Sequence, residues 1–219
     1  ACEVDDDICE VGFERAQIAC DLDKTTWSSS VHWFTEDMRS EARLRLHVCG
    51  CIETAIQEGW IHPLYQPIVR AATGAICGEE ALARWDDPEF GELMPHQFVP
   101  MLEEAGLSHK LDLHVIDCVL ADMQEREAAG VSLVPVSVNI SPFDFVSIDL
   151  VQELVQRVDA AGIPHDLIRL ELAESMSTYD LDIVAPPIAD LRRAGFQVWL
   201  DNFANNYVSL NALTTVEVD

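Results

Sequence analysis

Four oxygen-bearing side chains, Glu80, Asn139, Glu171 and Asp201, each stand at or near the C-terminal end of an apolar run. Three carboxylates and one amide make a hard, oxygen-only donor set, suited to Mg2+, Mn2+ or Ca2+ rather than zinc. Phosphoester hydrolysis is the chemistry such a set serves, because hard cations hold phosphate oxygens and stabilise the leaving alkoxide. The stretch Gly78-Glu79-Glu80-Ala81-Leu82-Ala83-Arg84-Trp85 adds a guanidinium. Strand alternation puts Glu80, Leu82 and Arg84 on one face and Glu79, Ala81 and Ala83 on the other. Arg84 can then grip a phosphate beside a cation held by Glu80. Singly, some of these residues have plainer readings: Glu80 and Arg84 as a solvated pair, and Asn139 before Ser141-Pro142 as a turn residue. Glu171 is harder to explain away, because it lies between Leu170 and Leu172, where an unpaired carboxylate is costly.

Placing these residues takes strands that alternate with helices. Strand patterns fall at 64–69, 75–84, 135–140, 167–172 and 198–203, and helix patterns at 95–105, 110–129, 150–160 and 184–194. The first two strands, split by Ala71-Ala72-Thr73-Gly74, read as a hairpin. The later runs suit buried parallel strands. Right-handed crossovers joining them give an open doubly wound sheet or a closed (β/α) barrel. The polar residues favour the barrel, where strand ends converge on one mouth.

Upstream, a long helix is expected from an N-cap at Thr35, with Glu36 and Asp37 in its first turn, to a stop at Gly59. Before it the patterning is weak: a short helix at 16–22, a polar turn at 25–30 and a short apolar strand at 31–34.

The chain has 219 residues, 49% hydrophobic, enough for one substantial core. Its formal charge of −26 excludes broad binding to a DNA or RNA polymer, since no basic stripe exists to neutralise phosphates. An anionic ligand must be held locally, by a metal or a few arginines. No apolar run reaches the ~18–20 residues of a spanning helix, so no membrane contact is expected from this segment. Seven scattered cysteines read as reduced thiols of a cytoplasmic protein, and Cys49-Gly50-Cys51 lacks the second pair of a zinc ribbon. His62, His96, His109 and His114 have no mutual ligand spacing and read as surface or packing residues; Trp85 reads as a packing anchor.

From about residue 60 onward the chain resembles the EAL domain family of cyclic di-GMP phosphodiesterases. The resemblance rests on Tyr65-Gln66-Pro67-Ile68-Val69, Glu80-Ala81-Leu82-Ala83-Arg84-Trp85, Phe98-Val99-Pro100-Met101-Leu102-Glu103, Val138-Asn139-Ile140-Ser141-Pro142, Leu170-Glu171-Leu172-Ala173-Glu174-Ser175 and Asp201-Asn202-Phe203, in family order. It implies an α/β fold, a TIM-like barrel with an antiparallel first hairpin, incomplete at its C-terminus. Residues 1–34 resemble the end of a GGDEF domain and 35–59 a connecting helix, leaving 60–219 as the EAL domain.

The resemblance also implies roles. Glu80, Asn139, Glu171, Asp201 and Asn202 match the metal-ligand positions for one or two Mg2+ or Mn2+ ions. Glu174 matches the glutamate that steadies the loop after the acidic pair, and Glu80, Asp201 and Glu174 form the catalytic set. Gln66, Leu82 and Arg84 match positions that contact cyclic di-GMP, whose hydrolysis gives linear pGpG. Two such domains pairing as a homodimer stays open.

Two departures bear on activity. Asn202 puts a neutral amide where the family has an aspartate, which weakens a second metal site. Ala204 and Asn206 replace glycines in the loop that follows. The family's catalytic lysine falls beyond Asp219, so this stretch alone is not expected to be a competent enzyme. Hydrolysis in the intact parent and a degenerate, binding-only receptor both remain open.

Overall fold

The computed structural model describes residues 6–21, 33–173 and 181–201. Its contacts divide the chain into two units, Ala1–Gly50 and Cys51–Asp219. In the first, helix α1 spans Asp6–Asp21, much longer than the turn or two expected at 16–22. Acidic residues at its start favour a helix N-terminus, but a mostly polar helix shows little periodicity to read. Val31 and His32, like the turn at 25–30, lie outside the described residues, and Trp33 and Phe34 belong to neither helix nor strand. The guanidinium groups of Arg15 and Arg39 lie 5.1 and 5.2 Å from the Phe34 ring centroid, which holds that aromatic without a strand partner.

Helix α2, Glu36–Gln57, starts as its sequence requires: Thr35 Oγ1 accepts the Met38 N–H at 3.3 Å. It ends where Gly59 turns to φ 71° and Trp60 N–H bonds back to Ala55 O at 2.9 Å.

In the second unit, β1 (Ile61–Val69) and β2 (Ile76–Asp87) form the expected antiparallel hairpin, with Ile61 opposite Trp85 and Ile68 opposite Gly78. Strand β2 outruns its sequence pattern because β3, Gly91–Leu93, pairs with its end. Asp87, 4% exposed, makes that turn by accepting the N–H groups of Glu89 and Phe90 at 2.8 and 2.9 Å.

Helices α3 (Pro95–Glu104) and α4 (Ser108–Ala128) follow, then β4 (Val136–Ile140), the short α5 (Asp144–Ser147), α6 (Leu150–Ala161), β5 (Ile168–Ala173), α7 (Leu181–Ala194) and β6 (Gln197–Asp201). Strands β2, β4, β5 and β6 are mutually parallel, and the sheet order is β1-β2-β4-β5-β6 with β3 beside β2. This is an α/β fold of TIM-like barrel type opened by an antiparallel hairpin.

One face of the sheet carries the core. Ala81, Trp85, Val136, Val138, Ile140, Ile168, Leu170, Leu172 and Val198 are all buried and share one pleat parity by register. Helix α4 packs on this side, burying Leu111, Val115, Ile116, Val119 and Met123. Trp85, fully buried, meets Phe98 of α3 edge-on with centroids 5.6 Å apart, so it is the packing anchor its position suggested. Burying two such aromatics contributes several kcal/mol, on the order of 2–3 each.

Candidate functional site

The opposite face carries the polar residues, and the strand register arranges them in rows. In one row Gln66 lies opposite Glu80, Glu80 opposite Ser137, Ser137 opposite Arg169, and Arg169 opposite Gln197. The next row toward the C-termini of the parallel strands holds the Leu64–Leu82 pair and the run Asn139, Glu171, Trp199. Beyond it stand the pairs His62–Arg84 and Ala173–Asp201. Six sequence candidates, Gln66, Glu80, Leu82, Arg84, Asn139 and Glu171, therefore share one face. Asp201 takes a register position of the same parity; its side chain, and all of Glu174 and Asn202, lie outside the described residues.

Two contacts define the centre. Asn139 Nδ2 donates to Glu80 Oε1 at 3.3 Å, which leaves the amide Oδ1 as a donor atom for a cation. Glu171, directly across from Asn139, is 9% exposed. Among the described residues no three His, Cys, Asp or Glu side chains cluster as a metal centre; the described donors are two carboxylates and one amide oxygen. By donor type and shared face they fit a hard divalent cation.

Among the described residues, Arg84 Nη1 donates to the carbonyl of Ala83, at 2.8 Å. No carboxylate lies within ion-pair distance of Arg84 among the described residues, so its charge is available to an anion. Glu79 behaves oppositely: on the helical face its Oε2 binds Arg126 Nη1 of α4 at 2.5 Å, and Arg126 also covers the Tyr65 ring at 4.7 Å. Alternation thus gives two adjacent glutamates separate tasks.

The turn after Asn139 is held by buried acids that sequence reasoning did not find. Asp112 Oδ2 accepts the Ser141 backbone N–H at 2.7 Å, Ser141 Oγ donates to Glu103 Oε1 at 2.8 Å, and Ser108 Oγ donates to Asp144 Oδ1 at 2.5 Å. Burial, then the facing Asp144 carboxylate, pushes the Asp112 carboxyl well above the ordinary range, and burial raises Asp144 as well. Raised values on both carboxyls favour a proton shared within the pair, and among the described residues Asp144 Oδ2 meets no hydrogen-bond partner. The one available signal was an aspartate at an apolar position of α4, between Leu111 and Val115.

A mainly apolar cavity of about 620 Å³ opens between α3, α4 and the ends of β2 and β4, lined by Glu80, Leu82, Val99, Pro100, Val115 and Asn139 among others. His96 also lines it, and His62 stands opposite Arg84 on the polar face; neither placement was evident from spacing. Among the described residues, Cys20, Cys49, Cys51, Cys77 and Cys118 form no disulfide. No helix among the described residues is long and apolar enough to cross a membrane.

A TIM-like α/β sheet that gathers Glu80, Asn139 and Glu171 on one face has the architecture of barrels that carry their functional residues on their strands. The EAL domain model matches residues 51–219, and the chain belongs to the EAL domain family. It is 27% identical to the cyclic di-GMP phosphodiesterase NbdA of Pseudomonas aeruginosa, across 98% of this chain and 28% of that protein. Identity to the probable cyclic di-GMP phosphodiesterase PdeB of Escherichia coli is 34%, across 77% of this chain and 32% of the relative. The chain thus spans about a quarter to a third of the curated relatives it matches.

Among solved structures, the PaMucR phosphodiesterase in its c-di-GMP complex aligns with a TM-score of 0.71 and 27% identity, over 80% of this chain and 70% of that one. The FimX EAL domain of Pseudomonas aeruginosa, at 22% identity and a TM-score of 0.68 over 78% of this chain and 69% of that one, shares the fold.

Proposed function

We propose that this domain binds cyclic di-GMP and, in the full-length protein, hydrolyses one of its phosphodiester bonds to give linear pGpG with Mg2+ or Mn2+. The observation that carries the reading is the shared face of Gln66, Glu80, Leu82, Arg84, Asn139 and Glu171, joined to family membership. Glu80, Asn139, Glu171 and Asp201 hold the cation. A bound divalent ion supplies water activation and neutralises charge on the phosphate.

The chain's own residues do the rest. Arg84, without an acidic partner among the described residues, takes the phosphate bidentately. Gln66, opposite Glu80, hydrogen-bonds the dinucleotide, and Leu82 gives its base an apolar wall. Asp112, by accepting the Ser141 N–H, fixes the turn after Asn139, which keeps that amide aimed at Glu80. Glu174 steadies the loop that follows Asp201 and Asn202. Upstream, residues 1–34 close a GGDEF domain and 35–59 connect it to the EAL domain of residues 60–219, in a cytoplasmic protein.

A second reading, a receptor that binds the dinucleotide without cleaving it, is favoured by Asn202 at a metal-ligand position. One experiment separates them: the full-length protein is incubated with cyclic di-GMP and Mn2+ or Mg2+, products are resolved by chromatography, and binding is followed by calorimetry. Cation-dependent pGpG supports hydrolysis, binding without product supports the receptor, and no binding with either cation refutes both.

A further inference from the structure

Arg169 is a cation set into the floor of an acidic site. Its Cα pairs with Ser137 on one side and Gln197 on the other, in the row that contains Glu80. Nε donates to Gln197 Oε1 at 2.8 Å, and the guanidinium carbon lies 4.5 Å from the Trp199 ring centroid. The far end of the side chain reaches across β4 to β2, where a Cβ on Gly78 would meet Nη1 at 2.8 Å. Gly78 precedes Glu80 by two residues on the same face, so the arginine crosses below Glu80, Asn139 and Glu171.

Small residues open this path. Gly78 has no side chain, in keeping with a strand glycine that admits a close approach. Ser137 is fully buried, and its hydroxyl meets no hydrogen-bond partner among the described residues. The partners that hold Arg169 are a neutral amide and an indole face, and among the described residues no carboxylate comes within ion-pair distance. Its charge is therefore directed at the site's acids through space rather than spent on a contact pair.

Resting on the metal-site reading above, we propose that Arg169 is a positioning residue: a built-in counter-cation that keeps Glu80 and Glu171 together without metal and sets the affinity for the divalent ion. The charge lowers repulsion among the carboxylates in the free state and opposes an incoming cation. Over the two strand spacings from β5 to β2, about 10 Å, and at an effective dielectric between protein and water, its removal tightens divalent binding roughly tenfold.

The test uses Mn2+ as the probe, with the full-length wild type, R169Q and R169K compared by calorimetry and by melting in EDTA and in excess Mn2+. R169Q should bind Mn2+ roughly tenfold more tightly and melt lower than wild type in EDTA, with much of the deficit recovered in Mn2+. R169K, which keeps the charge but not the stacked fork, should retain wild-type affinity. A purely structural arginine would make both variants bind worse, and that result overturns the proposal, as do unchanged affinities in both or a failure of R169Q to fold with Mn2+ present. Absence of Mn2+ binding to the wild type itself would overturn the site reading together with this inference, an outcome distinct from equal binding by all three proteins.

Discussion

Glu79 and Glu80 are adjacent in sequence and identical in chemistry, and the pleat gives them opposite consequences on mutation. Glu79 Oε2 lies 2.5 Å from Arg126 Nη1, with the two side chains 18% and 31% exposed. A charge-assisted hydrogen bond of this kind contributes about 1.5–3 kcal/mol, and the partial exposure of Arg126 argues for the lower half of that range. E79Q keeps the shape and an acceptor while losing the charge, so the expected cost is about 1–2 kcal/mol, or roughly 2–6 °C in melting temperature for a domain of this size. E80Q removes a negative charge from the face it shares with Glu171, and its remaining amide oxygen can still accept the 3.3 Å hydrogen bond from Asn139. Its effect in EDTA should stay within about 0.5 kcal/mol. The assay is urea unfolding at fixed pH, in EDTA and again in Mn2+ at a hundred times the wild-type dissociation constant, where a specifically bound ion adds about 2.7 kcal/mol. E79Q should be destabilised and keep the full Mn2+ increment; E80Q should be near wild type in EDTA and lose most of it. If E79Q lost the increment and E80Q kept it, the assignment of faces would be refuted. A cost below about 0.3 kcal/mol for E79Q would refute the energetic argument alone.

Three further outcomes follow from the geometry. Asp112 holds its proton well above the ordinary carboxyl range in the native state, whereas the unfolded chain releases it near pH 4, at about 3.9; the stability tied to that proton is full below the unfolded value and lost as pH rises through the folded one. D112N should remove this slope and stabilise the domain at neutral pH, by about 1.4 kcal/mol for every tenfold by which folding weakens the acid, and a wild-type-to-variant difference in urea midpoint that does not change between acid and neutral pH refutes the shared proton. Trp85→Ala empties a fully buried site and its edge-on contact with Phe98, costing about 3–5 kcal/mol by chemical denaturation, and a loss under about 1 kcal/mol would contradict its anchoring role. Asn202→Asp should raise the Mn2+ stoichiometry measured by calorimetry toward two per domain, and an unchanged count shows that this position does not limit the second ion.

Much of the fold was legible because the sheet is buried on its helical face. The runs 136–140 and 168–172 read as strands from apolar residues at alternate positions, and Glu171 stood out as a carboxylate that such a run tolerates only with a partner. Strand β3 was not legible, since Gly91-Glu92-Leu93 is too short to show alternation and its pairing depends on the buried Asp87 turn. Helix α1 lacked an apolar stripe to mark where it begins. The acids Asp112 and Asp144 look like ordinary helix and cap residues until the fold brings α4 against the turn before α5. Arg169 reads as the polar half of an alternating strand; only the register shows that Gly78 and Ser137 clear its path.

Charge bears on the choice between the two proposed readings, hydrolysis and binding alone. At the proposed ligand positions Glu80, Glu171 and Asp201 would bring three negative charges, Asn139 and Asn202 none, and Arg169 one positive charge from the row below Glu171. The balance of two negative charges matches one divalent ion. A second ion would leave the floor and mouth of the site positively charged, with Arg84 nearby, until an anion entered. A cyclic dinucleotide is such an anion, so ligand and second cation should bind with mutual help even where the second cation alone binds poorly. Asn202 therefore shifts the demand for charge from the protein to the ligand. Under the function proposed above, that shift would leave recognition of a phosphodiester intact and make hydrolysis depend on cation concentration.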